Sequence, residues 1–383
     1  MAAVDILNRA LNETQNTFPV PTFCKRSRLR KSNCRRCVEI CPENVITLDL
    51  GPTINNGCSD CGLCQNVCPT EVFHNEFNTD EHLLNQAKSF IEKEKLACEK
   101  KRLNIHCQQA ENQNGHSLYI PCLGNVTENI LLGIALLGFD EVILIKGICS
   151  QCRLAQGEKL LANSITISRI LLESLGLGKF PINLMEQEKG KEKILSRREI
   201  FSKISNGVRD KAASFLYHKG KTFQNNLSHS LESKNGTRCS PKRRLLQRLI
   251  KQKGWENSVV LKYQPQFPWG KIKINEKNCS ACGICQATCP TGAISKKFEK
   301  DYQLLYFNGS LCTNCSLCKE ACPKNAIDFE EDFPLIEILE DKTKGVVKVK
   351  LASCRICGEM VAGESEWCPT CRKREWWPIH INV

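Results

Sequence analysis

The sequence predicts a multi-domain α+β chain: cysteine-rich modules toward both ends, a central α/β domain with a parallel sheet, a basic helical connector and a short four-cysteine module at the C-terminus. Three observations carry this. Cysteine occurs 26 times in 383 residues. The stretch "CSDCGLCQNVCPT", residues 58–70, is nearly repeated at three other places. Between residues 100 and 185, three short apolar segments each end at or just before a cysteine. The expected domains are 1–85, 86–188, 189–262, 263–335 and 336–383.

Hydrophobic content of 41% and charge of 25% describe an ordinary globular protein. The opening "MAAVDILNRALNETQNTFPV" lacks a charged segment followed by an apolar core, so no signal peptide is expected. No apolar run approaches the ~18 residues of a membrane span. The expected location is therefore cytoplasmic, where thiols serve as metal ligands more often than as disulfides.

The cysteine spacing has a physical cause. Cys279, Cys282, Cys285 and Cys289-Pro290 form one motif, and Cys312, Cys315, Cys318 and Cys322-Pro323 form the next. Three thiolates two residues apart wrap a loop around one cubic cluster with backbone N–H groups facing its sulfurs. The fourth opens toward a second cluster, and proline holds that exit extended. The region resembles the bacterial two-cluster ferredoxins. Crosswise pairing groups Cys279, Cys282 and Cys285 with Cys322, and Cys312, Cys315 and Cys318 with Cys289, each set around a 4Fe–4S cluster.

The N-terminal pair is less regular. Cys58, Cys61, Cys64 and Cys68-Pro69 are complete, but Cys34, Cys37 and Cys41-Pro42 lack a first ligand, because Lys31 stands where it is expected. Cys24 is the expected substitute. The same rule groups Cys24, Cys34 and Cys37 with Cys68, and Cys58, Cys61 and Cys64 with Cys41. A three-iron cluster lacking one ligand is the alternative for the first set. The excursion from Cys24 to Cys34 and its flank carry Lys25, Arg26, Arg28, Arg30, Lys31, Arg35 and Arg36. These cations either raise the potential of the adjoining cluster and steer an acidic partner, or form a solvated loop that offsets cluster charge.

In the middle, "RLNIHC", "HSLYIPC" and "DEVILIKGIC" read as buried strands leading to Cys107, Cys122 and Cys149. The segment "NVTENILLGIALLGF" reads as a helix capped by Asn125 or Thr127, and a second helix is expected to start near Cys152. Parallel strands bring their carboxyl ends to one sheet edge. Cys107, Cys122, Cys149 and Cys152 are therefore expected to converge, with Cys152 stabilised as a thiolate by the helix N-terminus. Structural cysteines, zinc and a redox-active Cys149–Cys152 dithiol remain alternatives. The segment "PCLGN…GFDEVILIKGIC" resembles the iron–sulfur (delta) subunit of methyl-viologen-reducing hydrogenases, which accompanies heterodisulfide reductase. That resemblance implies a 2Fe–2S centre here, although only two residues separate the last two cysteines. Cys98 is a reserve ligand and Cys239 is expected to be inert.

From Lys189 to Lys253 there are 18 Lys and Arg against 4 Asp and Glu. Two helices are expected, one within 196–220 and one starting at Ser240-Pro241 and stopping at Gly254. The stretch reads either as a docking arm for an acidic partner or as a tether with one apolar face packed on a neighbour. At the end, Cys354, Cys357, Cys368 and Cys371 form two C-x2-C knuckles that fit a zinc ribbon, with rubredoxin-type mononuclear iron as the rival. Trp376 and Trp377 are candidates for partner contact. The formal charge of +13 treats every cysteine as neutral. Filled four-thiolate sites carry about −2 each, so the metal sites offset most of the excess and weaken a nucleic-acid reading.

No dinucleotide fingerprint, phosphate loop or catalytic His/Ser/carboxylate constellation is present. The sequence therefore points to a multi-cluster electron-transfer protein, the wiring subunit of an anaerobic oxidoreductase complex, working between redox protein partners. The central cluster is a possible relay between the modules. Alternatives are an enzyme reducing a disulfide or thiol at the central cluster, and a nucleic-acid-binding protein.

Overall fold

The apolar segments of residues 100–185 form one parallel sheet in the computed structural model, which describes residues 16–93, 100–110, 117–187, 239–255, 258–362, 366–368 and 370–372. Ahead of it, α1 (Arg36–Ile40) and α2 (Leu63–Val67) are short helices inside cysteine loops, and α3 (Asp80–Lys93) leads toward the sheet. Strands β1 (Arg102–Cys107) and β2 (Ser117–Ile120) are followed by α4 (Glu128–Leu136), β3 (Glu141–Lys146), α5 (Gly157–Ser174) and β4 (Ile182–Glu186). The strands pair in parallel in the order β2-β1-β3-β4. The inner strands are near-continuous apolar runs, and Leu103, Ile105, Val142, Leu144 and Ile145 are buried. β4 had no clear strand signal, since only Ile182 of its five residues is buried.

Of the two predicted caps for α4, the structure uses Thr127, whose hydroxyl accepts the Ile130 N–H at 3.4 Å and donates to the buried Asp80 carboxylate at 2.8 Å. Asn125 is engaged elsewhere, its amide donating to the Cys61 carbonyl. The helix expected near Cys152 starts instead at Gly157. Cys149–Gln151 forms its own tight turn, and the Leu154 N–H donates to Cys152 Sγ at 3.3 Å, which holds the chain out of the helix. Cys152 therefore lies outside the first turn of α5, where the helix dipole acts.

The helix α6 (Pro241–Lys253) begins at Ser240, whose hydroxyl accepts the Arg243 N–H, and stops at Gly254 in the left-handed region. Leu245, Leu246, Leu249 and Ile250 are buried in the same core as the α/β layer, together with Trp269, Phe333, Leu335 and Ile338. Each such Leu or Ile contributes roughly 1.5–3 kcal/mol by leaving water, more than the solvated lysines and arginines opposite. This part of the basic stretch is thus a packed helix joining the α/β layer to the C-terminal half. The helix expected within 196–220 lies outside the described residues.

Beyond it, α7 (Ile284–Thr288), β5 (Ile294–Glu299), β6 (Tyr302–Asn308), α8 (Leu317–Ala321), β7 (Thr343–Ser353) and β8 (Met360–Ala362) follow. The strands pair antiparallel in the order β5-β6-β7-β8. Alternate β7 residues Val347, Val349 and Leu351 are buried, the period-two pattern of a half-covered sheet. Among the described residues, no helix is long and apolar enough to cross a membrane.

Thr127→Ala removes the α4 cap and one of the two side-chain donors that Thr127 and Asn129 direct at Asp80. We expect a loss of roughly 1–3 kcal/mol, read as a lowered anaerobic unfolding midpoint, with Thr127→Ser restoring most of it.

Candidate metal centres

The cysteine loops share a backbone code. Asp60, Ala281 and Asn314, two residues after the first cysteine, all have φ of 50°. The residue after the second cysteine is also left-handed, at Gly62 (φ 77°), Gly283 (φ 74°) and Ser316 (φ 63°). Such turns aim successive backbone N–H groups into a concavity suited to anions. Three residues after each Cys-Pro cysteine, Asn44, Glu71, Gly292 and Asn325 are left-handed as well. The Cys34–Cys37 loop departs from the code, since Arg35 has φ −132°, in keeping with its missing local first cysteine.

Every described cysteine is a free thiol. Cys279, Cys282, Cys285 and Cys322 line one small cavity, and Cys41, Cys58, Cys61 and Cys64 line a second. Cys24, Cys34 and Cys68 surround Cys37, whose thiol is pushed up to about 12 by burial and then by those neighbours. Cys289, Cys312, Cys315 and Cys318 form the fourth group: burial and the Cys289 thiol push Cys315 up to about 12, and burial with the neighbouring thiols raises Cys318. Such mutually repelling buried thiols keep their protons until a cation displaces them, so the donor set fits a cationic iron–sulfide core. The Ala326 N–H donates to Cys322 Sγ at 3.3 Å, and the Thr70 and Thr291 hydroxyls lie 3.5 and 3.6 Å from Cys68 and Cys289 Sγ.

In the α/β layer, Cys107, Cys122, Cys149 and Cys152 line a common cavity. Cys107 closes β1, while the other three sit on loops beyond β2 and β3. The Gly147, Gly124 and Leu154 N–H groups donate to Cys107, Cys122 and Cys152 Sγ, each at 3.3 Å. Burial and the surrounding thiols push Cys122 up to about 12. Gly157 leaves room for this sulfur: a Cβ there would lie 2.4 Å from Cys122 Sγ. The site abuts the first module, where the Asn66 amide donates to the Gly124 carbonyl at 2.5 Å and Leu63 is fully buried.

The sulfurs of Cys354, Cys357, Cys368 and Cys371 lie within 4.8 Å of one another, close enough to share one metal ion. The Cys368 N–H donates to Cys354 Sγ at 3.2 Å and the Cys371 N–H to Cys368 Sγ at 3.3 Å. Backbone N–H groups of Cys368 and Cys357 hold the Cys354 thiol down to about 6. Cys239 joins no set; its Sγ is 3.9 Å from Gln247 Oε1. Cys98, Trp376 and Trp377 lie outside the described residues.

The basic residues divide by role. Lys25 is buried with its Nζ 2.5 Å from Glu320, so at least this cation of the excursion is engaged within the chain. Arg243 of α6 is also buried, and its Nη2 donates to the carbonyls of Pro268 and Cys312, both at 2.6 Å. A groove of about 650 Å³ passes between the first module, α5 and α6, and Cys68 lies on its wall. The sequence reading missed the threonines behind Cys68 and Cys289, although "CPT" at both places was a visible signal; Gly157 carried none.

Residues 278–327 match the 4Fe-4S dicluster domain family. No curated protein matches the chain. This domain and the many further cysteines suggest an iron–sulfur electron-transfer protein.

Gly157→Ala should drive a methyl into Cys122 and abolish the optical signal of the α/β site while the dicluster signals persist. Thr291→Val removes a hydroxyl from the Cys289 sulfur and should lower the reduction potential of that site in anaerobic redox titration.

Proposed function

We propose that this chain is a multi-cluster iron–sulfur electron-transfer protein, the wiring subunit of a larger oxidoreductase complex in an anaerobic cytoplasm. One observation carries the reading: thiols far apart in sequence gather in fours, crosswise, in both halves of the chain, and residues 278–327 match a 4Fe-4S dicluster domain. We assign four 4Fe–4S clusters. Cys24, Cys34, Cys37 and Cys68 hold one, and Cys41, Cys58, Cys61 and Cys64 another. Cys279, Cys282, Cys285 and Cys322 hold the third, and Cys289, Cys312, Cys315 and Cys318 the fourth. Cys107, Cys122, Cys149 and Cys152 take a further cluster, which the resemblance to the hydrogenase-associated subunit makes a 2Fe–2S centre. Cys354, Cys357, Cys368 and Cys371 take a structural zinc.

When bound, iron–sulfur clusters accept and release single electrons. The chain supplies thiolates, dry surroundings and N–H donors that favour the charge on sulfur. In this reading the chemistry at either end belongs to donor and acceptor subunits.

Anaerobically purified protein should contain about 16–18 iron atoms and about one zinc per chain. Cys24→Ala should degrade one N-terminal cluster alone, removing about four iron atoms; an unchanged iron content would overturn its assignment. Colourless protein without iron or acid-labile sulfide would overturn the function itself.

A further inference from the structure

The excursion between Cys24 and Cys34 has a destination within the chain. Lys25 Nζ lies 2.5 Å from Glu320 Oε1, across 295 positions of sequence. The buried Ser32 hydroxyl donates to the other oxygen of that carboxylate at 2.8 Å. Arg28 Nη1 donates to the carbonyl of Cys289 at 3.3 Å. Glu320 stands between Cys318 and Cys322, and Cys289 is the crossing cysteine of the same module. Three side chains of this excursion therefore grip the backbone and an acidic residue, Glu320, that border the Cys312 set.

Neighbour relations then place the five cluster sets in a row. Cys24, Cys37 and Cys68 pack in one cluster with Cys41, Cys61 and Cys64, so the Cys24 and Cys58 sets adjoin. Cys279, Cys285 and Cys322 pack in one cluster with Cys289, Cys312 and Cys318, so the Cys312 and Cys279 sets adjoin. The Asn125 amide donates to the Cys61 carbonyl, and Arg153 Nη1 donates to Glu43 Oε1 beside Cys41 at 2.6 Å, so the Cys107 set adjoins the Cys58 set. The order is Cys107 set, Cys58 set, Cys24 set, Cys312 set, Cys279 set. The two middle sets also share a device: their crossing cysteines, Cys68 and Cys289, are followed by Pro and then Thr70 and Thr291, whereas Cys41-Pro42 and Cys322-Pro323 are followed by Glu43 and Lys324.

We propose that the excursion is an intramolecular clamp in which Lys25, Arg28 and Ser32 hold the Cys24 set against the Cys312 set, making this contact the electronic junction of the two modules. The Cys107 set is then an outer terminus of the row and not the relay between modules. This rests on the cluster reading of the preceding section. The clamp residues are positioning residues: a carboxylate gripped through both oxygens fixes direction as well as distance. The basic excursion thus finds its acidic counterpart in Glu320 of the same chain.

Carbodiimide treatment of the anaerobic holoprotein should form a zero-length Lys25–Glu320 amide, identified by peptide mass spectrometry. In Lys25→Glu the crosslink should vanish. The magnetic interaction between the two reduced middle clusters, read by electron paramagnetic resonance, should fall at least several-fold at full iron content. Glu320→Lys should reproduce this alone, and Lys25→Glu combined with Glu320→Lys should restore the interaction. Full iron with no crosslink, or an interaction unchanged by either reversal, overturns the clamp and leaves the cluster reading standing. Iron-free protein overturns the cluster reading and with it the junction.

Discussion

Buried sulfur is the constraint on which this structure depends. A thiolate removed from water needs a cation and hydrogen-bond donors to replace its hydration. Burial first, and then the repulsion of neighbouring thiols, raises Cys37, Cys122 and Cys315. The loops answer with backbone geometry. Left-handed residues at Asp60, Gly62, Ala281, Gly283, Asn314 and Ser316 turn N–H groups inward, and non-glycine residues accept that strain because the loop offers no other closure. The α/β site reaches the same end by another route: a parallel sheet delivers its strand ends to one edge, and the Gly147, Gly124 and Leu154 amides meet the sulfurs there.

Holding several such sites in fixed relation requires packing between units. Helix α6 supplies much of it, with an apolar stripe in the α/β core and Arg243 bound to the Cys312 carbonyl on the other side. The antiparallel sheet from β5 to β8 carries the last four cysteines away from the second dicluster module. Positive charge that looked like an electrostatic footprint for a partner is in these places internal mortar, directed at carbonyls and at Glu320.

Much of the fold was legible. The strand-to-cysteine rhythm foretold a parallel sheet with its thiols at one edge, and Ser240, Pro241 and Gly254 marked both ends of α6. Other elements carried weaker signals. β4 is five residues long and exposes all of its side chains but that of Ile182, so burial did not mark it. The start of α5 was misjudged because "SQCRLAQGEKLL" has helical composition throughout, whereas the Cys152 sulfur captures the Leu154 amide and delays the helix to Gly157.

Cysteine spacing alone supplied the grouping of thiols expected within a module, because two intervening residues admit few loop geometries around a compact core. Sequence alone also supplied Cys24 as the candidate for the missing ligand at position 31. Only the tertiary structure decided where the side chains of the Cys24–Cys34 excursion reach. A contact such as Lys25 with Glu320 joins residues 295 positions apart, and no local pattern encodes which distant carboxylate a lysine will reach. That choice belongs to the packing of whole elements, where many weak interactions must be satisfied together.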